Sequence, residues 1–132
     1  MSSAVSRTPA ANSQRALAHF SALLEFETDC WDVHHAVSNQ SKDFVLLDVR
    51  GETLFQEGHL ATAENIPHAR LNERTLEAYA TDTLFVVYCA GPHCNATEKA
   101  AIRLAKLGRP VKKMIGGVTG WIDEGFSLTT TE

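Results

Sequence analysis

Apolar and polar positions fall in blocks whose length and period change along the chain, and those changes mark the elements. Phe44-Val45-Leu46-Leu47-Asp48-Val49 is a short apolar run of the kind that forms a strand buried on both faces. Leu84-Phe85-Val86-Val87-Tyr88 is β-branched or aromatic nearly throughout and is the clearest strand. Val111 to Ile115 supplies a last strand, and Ala63 to Ile66 a shorter one closed by Pro67, which has no N–H for a ladder. Elsewhere the apolar residues recur at helical spacing. Phe20, Leu23 and Leu24 predict a helix over Leu17 to Phe26. Asp29 is placed to cap a second helix from Trp31 to about Ser38, with Val33 and Val37 on one face. Glu52 to Gly58 reads as one helical turn or a loop, and Asn72 as the cap of a helix reaching Glu77 and Tyr79. Ala96, Ala100, Leu104 and Leu107 form the inward stripe of a helix from Asn95 to Leu107. Asn95 with Glu98 fits a capping box at its start, and Gly108 with Pro110 fits its stop. Gly116-Gly117 then leads into a final helical turn around Trp121. Strands alternating with helices predict an α/β fold, helices flanking a mainly parallel sheet.

Composition narrows the class. At 132 residues, 44% apolar, the chain fits one domain and buries enough surface to fold without a metal or disulfide staple. Residues 1–17 are rich in Ser and Ala, hold Pro9 and show no apolar period. We read them as a mobile tail ahead of a single domain over residues 18–132. Arg7, Arg15 and the lack of acidic residues before Glu25 give this stretch a transit-peptide tint, but it lacks an amphipathic Arg-rich helix. Three cysteines is an odd count, which argues against a disulfide framework and for a cytoplasmic protein. A net charge of −4 argues against a dedicated nucleic-acid binder, and no apolar run is long enough to span a bilayer.

The placement of one cysteine then carries the chemistry. In a doubly wound sheet, ligands sit beyond the carboxyl ends of the central strands, and Cys89 ends the best strand just before the best helix. A helix N-terminus offers unpaired N–H groups and partial positive charge, so a thiol held there is expected to have a depressed pKa. Cys89 to Cys94, with Gly91 and Pro92, must be a loop. Its amides at Ala90, Gly91, His93, Cys94 and Asn95 can form a nest for an oxyanion or a persulfide, while Pro92 cannot donate. The plain alternative is that Cys89 is a small buried residue closing a strand.

Asp48-Val49-Arg50, Gly58-His59-Leu60, Asn65-Ile66-Pro67, Tyr88-Cys89 with its loop, and Gly116-Gly117 with Trp121 resemble, in that order, the single-domain rhodaneses. The resemblance covers roughly Asp29 to Phe126. It implies a three-layer α/β domain, a sulfurtransferase activity, and a catalytic cysteine carrying sulfane sulfur as a persulfide. That cysteine is Cys89 here, with Ala90, Gly91, His93, Cys94 and Asn95 completing the substrate loop. It implies no cofactor. The implied partners are a small sulfur donor and a thiol or cyanide acceptor, with a protein thiol as a further candidate acceptor. Loop length favours sulfur over phosphate, since the related phosphatases use a longer loop and Cys89 to Cys94 is six residues. The chain departs from the family at Cys94, where many members place Arg, Lys, Ser or Thr. Two alternatives follow: a catalytically weak module binding a partner or an anion, and a Cys89/Cys94 thiol redox switch.

The remaining polar residues have plainer readings. Cys89, Cys94, His59 and His93 lack the second ligand pair of a zinc site, so no metal is assigned. Asp48 and Arg50 are expected to brace the site through an ion pair, and Cys30 to pack as a structural cysteine.

Overall fold

The computed structural model describes residues 1–130 of the chain. Five parallel strands form one sheet: β1 (Glu27–Thr28), β2 (Val45–Asp48), β3 (Glu64–Asn65), β4 (Phe85–Tyr88) and β5 (Val111–Met114), in the spatial order β1-β5-β4-β2-β3. The strand with the strongest β character, β4, is the central one, and all four of its residues are buried. Helices fill the connections: α1 (Ala4–Arg7), α2 (Ser13–Phe26), α3 (Cys30–Ser38), α4 (Glu52–Glu57), α5 (Glu73–Leu76), α6 (Ala96–Lys106) and α7 (Gly117–Asp123).

Strand alternation sends side chains to two cores, and this makes the molecule three-layered. Leu47, Phe85 and Val87 point to one face, where they meet Leu71, Leu76, Ala100 and Leu104 from the side of α5 and α6. Leu46, Val86, Tyr88 and Met114 point to the other, against Cys30, Val33, Leu60 and Trp121. Each such apolar side chain contributes about 1.5–3 kcal/mol on burial. The register Leu46↔Val86 and Leu47↔Val87 keeps the two sets apart. The α/β class and the flanked parallel sheet expected from the sequence are therefore found.

Differences from expectation cluster at element ends and in the N-terminal segment. Helix α2 starts at Ser13, not Leu17, because the Asn12 side chain accepts a hydrogen bond from the Arg15 amide at 2.8 Å. A short helix also lies within the expected tail, α1, closed by a Ser3/Ser6 capping box. Phe20 and Leu24 are exposed, and of the apolar triplet that predicted α2 only Leu23 is half-buried. Strand β1 has no apolar run to announce it, since Glu27 and Thr28 are polar and pair only with β5. The expected capping box of α6 is absent. Asn95 occupies the N-cap position without a side-chain cap bond, and Glu98 turns instead to Thr97 and Lys113. No helix among the described residues is long and apolar enough to cross a membrane.

Candidate active site

Strand β4 ends at Tyr88, which delivers Cys89 to the carboxyl edge of the sheet, beside Asp48 at the end of β2. The following loop is held from two directions. From one side, Val118 N donates to Cys89 O (3.0 Å), and Thr119 N and Oγ1 both donate to Ala90 O (2.9 and 3.0 Å). From within, Cys94 N donates to Gly91 O at 3.0 Å, which closes a tight turn. The Cys94 amide is therefore committed to the turn and leaves the expected anion nest. Among the described residues, the amides of Gly91, His93 and Asn95 have no backbone acceptor.

The close approach of α7 to this loop depends on Gly117. Its φ is +60°, and a Cβ built there would stand 2.5 Å from Cys89 O and 2.7 Å from Gly91 N. Glycine is the residue that adopts this conformation and leaves room for backbone against backbone. The sequence marked Gly116-Gly117 as packing residues; Gly117 packs directly on the loop. Under the same turn, the Cys30 S–H points to Ile115 O (3.5 Å) and Gly117 O (3.7 Å). Burial, then the negative charges of Asp29 and Glu124, push its pKa up to about 11. Cys30 supports the turn as an inert thiol, in keeping with the structural role expected of it.

A cavity of about 390 Å³ opens beside the loop. Its lining comes from three places: Cys89, Gly91, Pro92 and Cys94 on the loop, Thr97 and Glu98 on α6, and Lys113 to Gly117 from β5 into α7. Of the residues singled out in the sequence, Cys89, Gly91 and Cys94 meet here. Ala90, His93 and Asn95 do not line the cavity, although the Ala90 amide reaches both sulfurs. His93 folds back over Gly91, its ring 3.0 Å from where a Gly91 Cβ would stand. The sequence reading missed Thr97, Glu98 and Lys113. Lys113 was detectable in principle, because a lysine inside a strand must emerge on one face of the sheet, here in register with Val87 and Glu27.

The two thiols of the loop form a pair. Burial and a hydrogen bond to Cys94 raise the Cys89 pKa, and the carboxylate of Asp48 adds to this against the opposing Ala90 amide. Burial also resists ionisation of Cys94, but it is outweighed by the Cys89 hydrogen bond, the Ala96 and Ala90 amides and the charge of Lys99, so its pKa falls. This reverses the expectation of a depressed pKa at Cys89. The physical reason is position: α6 begins at Ala96, so its first amide reaches Cys94 rather than Cys89. The two thiols are coupled, so the first proton lost belongs to the pair rather than to either sulfur alone.

Behind the loop lies a buried ion pair. Asp48 is 0% exposed; its Oδ2 accepts from Arg50 Nη2 at 2.6 Å and from Nε at 3.1 Å, and Oδ1 accepts from the Arg50 amide at 2.9 Å. Arg50 Nη2 also donates to Gly58 O at 2.6 Å, and Asn65 Nδ2 donates to both Asp48 O and Arg50 O. On the neighbouring strand, in register with Asp48, Tyr88 accepts at its Oη from the Leu60 amide at 3.1 Å. The geometry is that of a brace between β2, β3, β4 and the α4 region. Among the described residues, no group of three His, Cys, Asp or Glu side chains is placed to hold a metal ion.

The comparisons with known proteins agree with this fold. A crystal structure of protein BH2092 from Bacillus halodurans superposes with a TM-score of 0.88 at 33% identity, covering 91% of this chain and 88% of that one. Thiosulfate sulfurtransferase from Pseudomonas aeruginosa shares the fold at a TM-score of 0.68 and 21% identity, over 85% of this chain but 21% of that one. Among curated proteins, the HTH-type transcriptional regulator Rv0324 of Mycobacterium tuberculosis (strain ATCC 25618 / H37Rv) is 36% identical over 93 residues, 65% of this chain. This chain spans 40% of that regulator's length. The family model for the rhodanese-like domain matches residues 32–124. That span takes in the sheet from β2 to β5, the Cys89–Cys94 loop and α7, and the chain belongs to the family of rhodanese-like domains.

Proposed function

We propose that this domain is a sulfurtransferase that carries sulfane sulfur as a persulfide on Cys89. The observation that carries the reading is the position of Cys89: at the carboxyl end of the central strand, on the wall of a cavity, in a loop pinned by α7. Membership of the family supports it.

The paired thiols supply the nucleophile. As a donor approaches, the Cys89 proton passes to the Cys94 thiolate, and the Cys89 thiolate attacks the outer sulfur of the donor. The bond between that sulfur and its carrier breaks, the carrier leaves with the bonding electrons, and Cys89 holds a persulfide. The amides of Ala90 and its loop neighbours stabilise the terminal negative charge. An acceptor nucleophile, either cyanide or a thiolate, then attacks the terminal sulfur and returns Cys89 as thiolate. A protein thiol is a further acceptor of the same chemistry. The brace of Asp48 and Arg50 supports the loop without touching the sulfur.

The test is incubation with thiosulfate, mercaptopyruvate, a polysulfide or cysteine persulfide, followed by mass spectrometry of the intact protein and its peptides. The expected product gains about 32 Da at Cys89, and Cys89→Ser gains none. Absence of an adduct with every donor would overturn the reading in favour of a module that binds without turnover.

A further inference from the structure

The cation in this cavity is not free. Lys113 Nζ lies 2.7 Å from Glu98 Oε2 and 3.5 Å from Glu27 Oε2, so one ammonium is held between two carboxylates. Glu98 and Lys113 are the charged side chains of the cavity lining, and Glu27 stands behind Lys113 on β1. Glu98 is exposed, at 49%, while Lys113 and Glu27 are half-buried, at 31% and 26%. Met114, Ile115 and Pro92 in the lining carry no charge, and Cys94 adds a negative one whenever its thiol is ionised.

We propose that Glu98, by neutralising Lys113, sets the donor specificity of this site: it selects sulfane donors with uncharged or cationic carriers and rejects the thiosulfate dianion. The proposal rests on the sulfurtransferase reading and names its substrate class. Glu98 and Lys113 cancel each other within the lining, and Glu27 holds Lys113 from behind, so an approaching dianion finds no unpaired cation in this wall. The loop amides remain as anion binders, but they lie at the sulfur and suit the single charge of a persulfide. An amino-acid persulfide fits the wall better, because its ammonium can lie against the exposed edge of Glu98. Lys99 lies outside the lining, and its charge acts on Cys94 rather than on the Glu98–Lys113 pair. Glu98 is thus a specificity residue distinct from the nucleophile.

Two readouts separate this proposal from the function beneath it. The first needs no turnover: alkanethiosulfonate reagents bearing either a sulfonate or a trimethylammonium group modify the loop thiols, and peptide mapping assigns the site. The wild type should react faster with the cationic reagent. Glu98→Gln should shift the anion-to-cation rate ratio toward the anion by roughly tenfold, and Lys113→Gln should shift it the other way. A misfolded variant would instead react faster with both reagents. The second readout compares Cys89 loading by thiosulfate and by cysteine persulfide, and Glu98→Gln should favour thiosulfate. A ratio unmoved by Glu98→Gln overturns the proposal. A ratio that moves while no donor loads Cys89 upholds the charge gate and overturns the sulfurtransferase reading.

Discussion

A Cβ atom at Gly117 would lie 2.5 Å from the carbonyl oxygen of Cys89, the same oxygen that accepts the Val118 amide. The backbone of Cys89 is thus set by a glycine on another element, and the two cannot be separated without moving α7. The positive φ of Gly117 adds a second constraint, since a β-carbon strains that conformation wherever space exists.

Gly117→Ala is therefore expected to lose about 1–3 kcal/mol of stability and to displace the loop. Urea unfolding should show the loss, and sulfur loading at Cys89 should fall by more than the unfolded fraction explains. Gly51→Ala is the control. A Cβ there meets nothing within 4 Å, φ is −65°, and the change should stay within about 0.5 kcal/mol. Equal losses in the two variants would show that Gly117 has no special relation to the loop.

The sheet and the place of Cys89 at its edge were legible in the sequence because they rest on local signals. An apolar run such as Phe85 to Tyr88 has one economical use, a strand buried on both faces, and the residue that follows it must reach the sheet edge. Asp29 read correctly as a cap, and its Oδ1 accepts the Asp32 amide at 2.8 Å. Asn95 holds the N-cap position expected of it, but its capping box is missing, because a cap competes with tertiary partners and Lys113 draws Glu98 away from the helix start. That ion pair joins residues on α6 and β5, so no short-range pattern encodes it. Strand β1 and the charge of the cavity wall were hidden for the same reason: both exist only once β5 lies beside them. The start of α6 was legible within one residue, but the pKa order of Cys89 and Cys94 was not, because it depends on how the intervening loop folds the two thiols and amides together.

The thiol pair predicts a specific response to pH. Cys94 ionises below the ordinary thiol range because its thiolate gains more from Cys89, the Ala96 and Ala90 amides and Lys99 than it loses by burial. Removing the Cys89 hydrogen bond must therefore raise it. In Cys89→Ala, the pH at which Cys94 is half-alkylated by iodoacetamide should rise relative to wild type. In Cys94→Ser, Cys89 no longer faces a neighbouring thiolate and should titrate as a single group, below the second ionisation of the wild-type pair. Rates at the two cysteines should be read by peptide mapping across the pH range. Identical profiles in wild type and Cys89→Ala would show that the two groups do not interact.

Alkaline pH should destabilise the fold. The Cys30 pKa is raised from 9.0 to about 11, burial being the main cause, with Asp29 and Glu124 adding to it. Such a group holds its proton more tightly folded than unfolded, so the stability it contributes is complete below pH 9 and is lost as pH rises toward 11. Tyr79, raised to about 12 by burial and its hydrogen bond to Glu64, acts in the same direction from pH 10 upward. Urea midpoints should fall between pH 8.5 and 10.5, with Cys30 contributing roughly 1 kcal/mol of the loss. Cys30→Ala should be less stable than wild type at neutral pH but show a shallower fall, and an unchanged slope would assign the loss elsewhere.

The brace behind the loop should be costly to break and cheap to replace. Asp48→Asn keeps the side-chain shape but leaves the Arg50 guanidinium, 8% exposed, without its countercharge, and removes the anion that Tyr88 meets. Removing one member of a buried pair costs about 3–5 kcal/mol, since the remaining charge stays desolvated. Replacing both together, as in Asp48→Asn with Arg50→Met, removes the stranded charge and should recover much of that loss. Arg50 also holds the Gly58 carbonyl at 2.6 Å, so the double variant is expected to retain a deficit from that lost bond. Urea unfolding of the two single variants and the double variant gives the coupling directly. A double variant as unstable as the sum of the singles would show that the two residues act on the fold independently, and that bracing by charge is not their role.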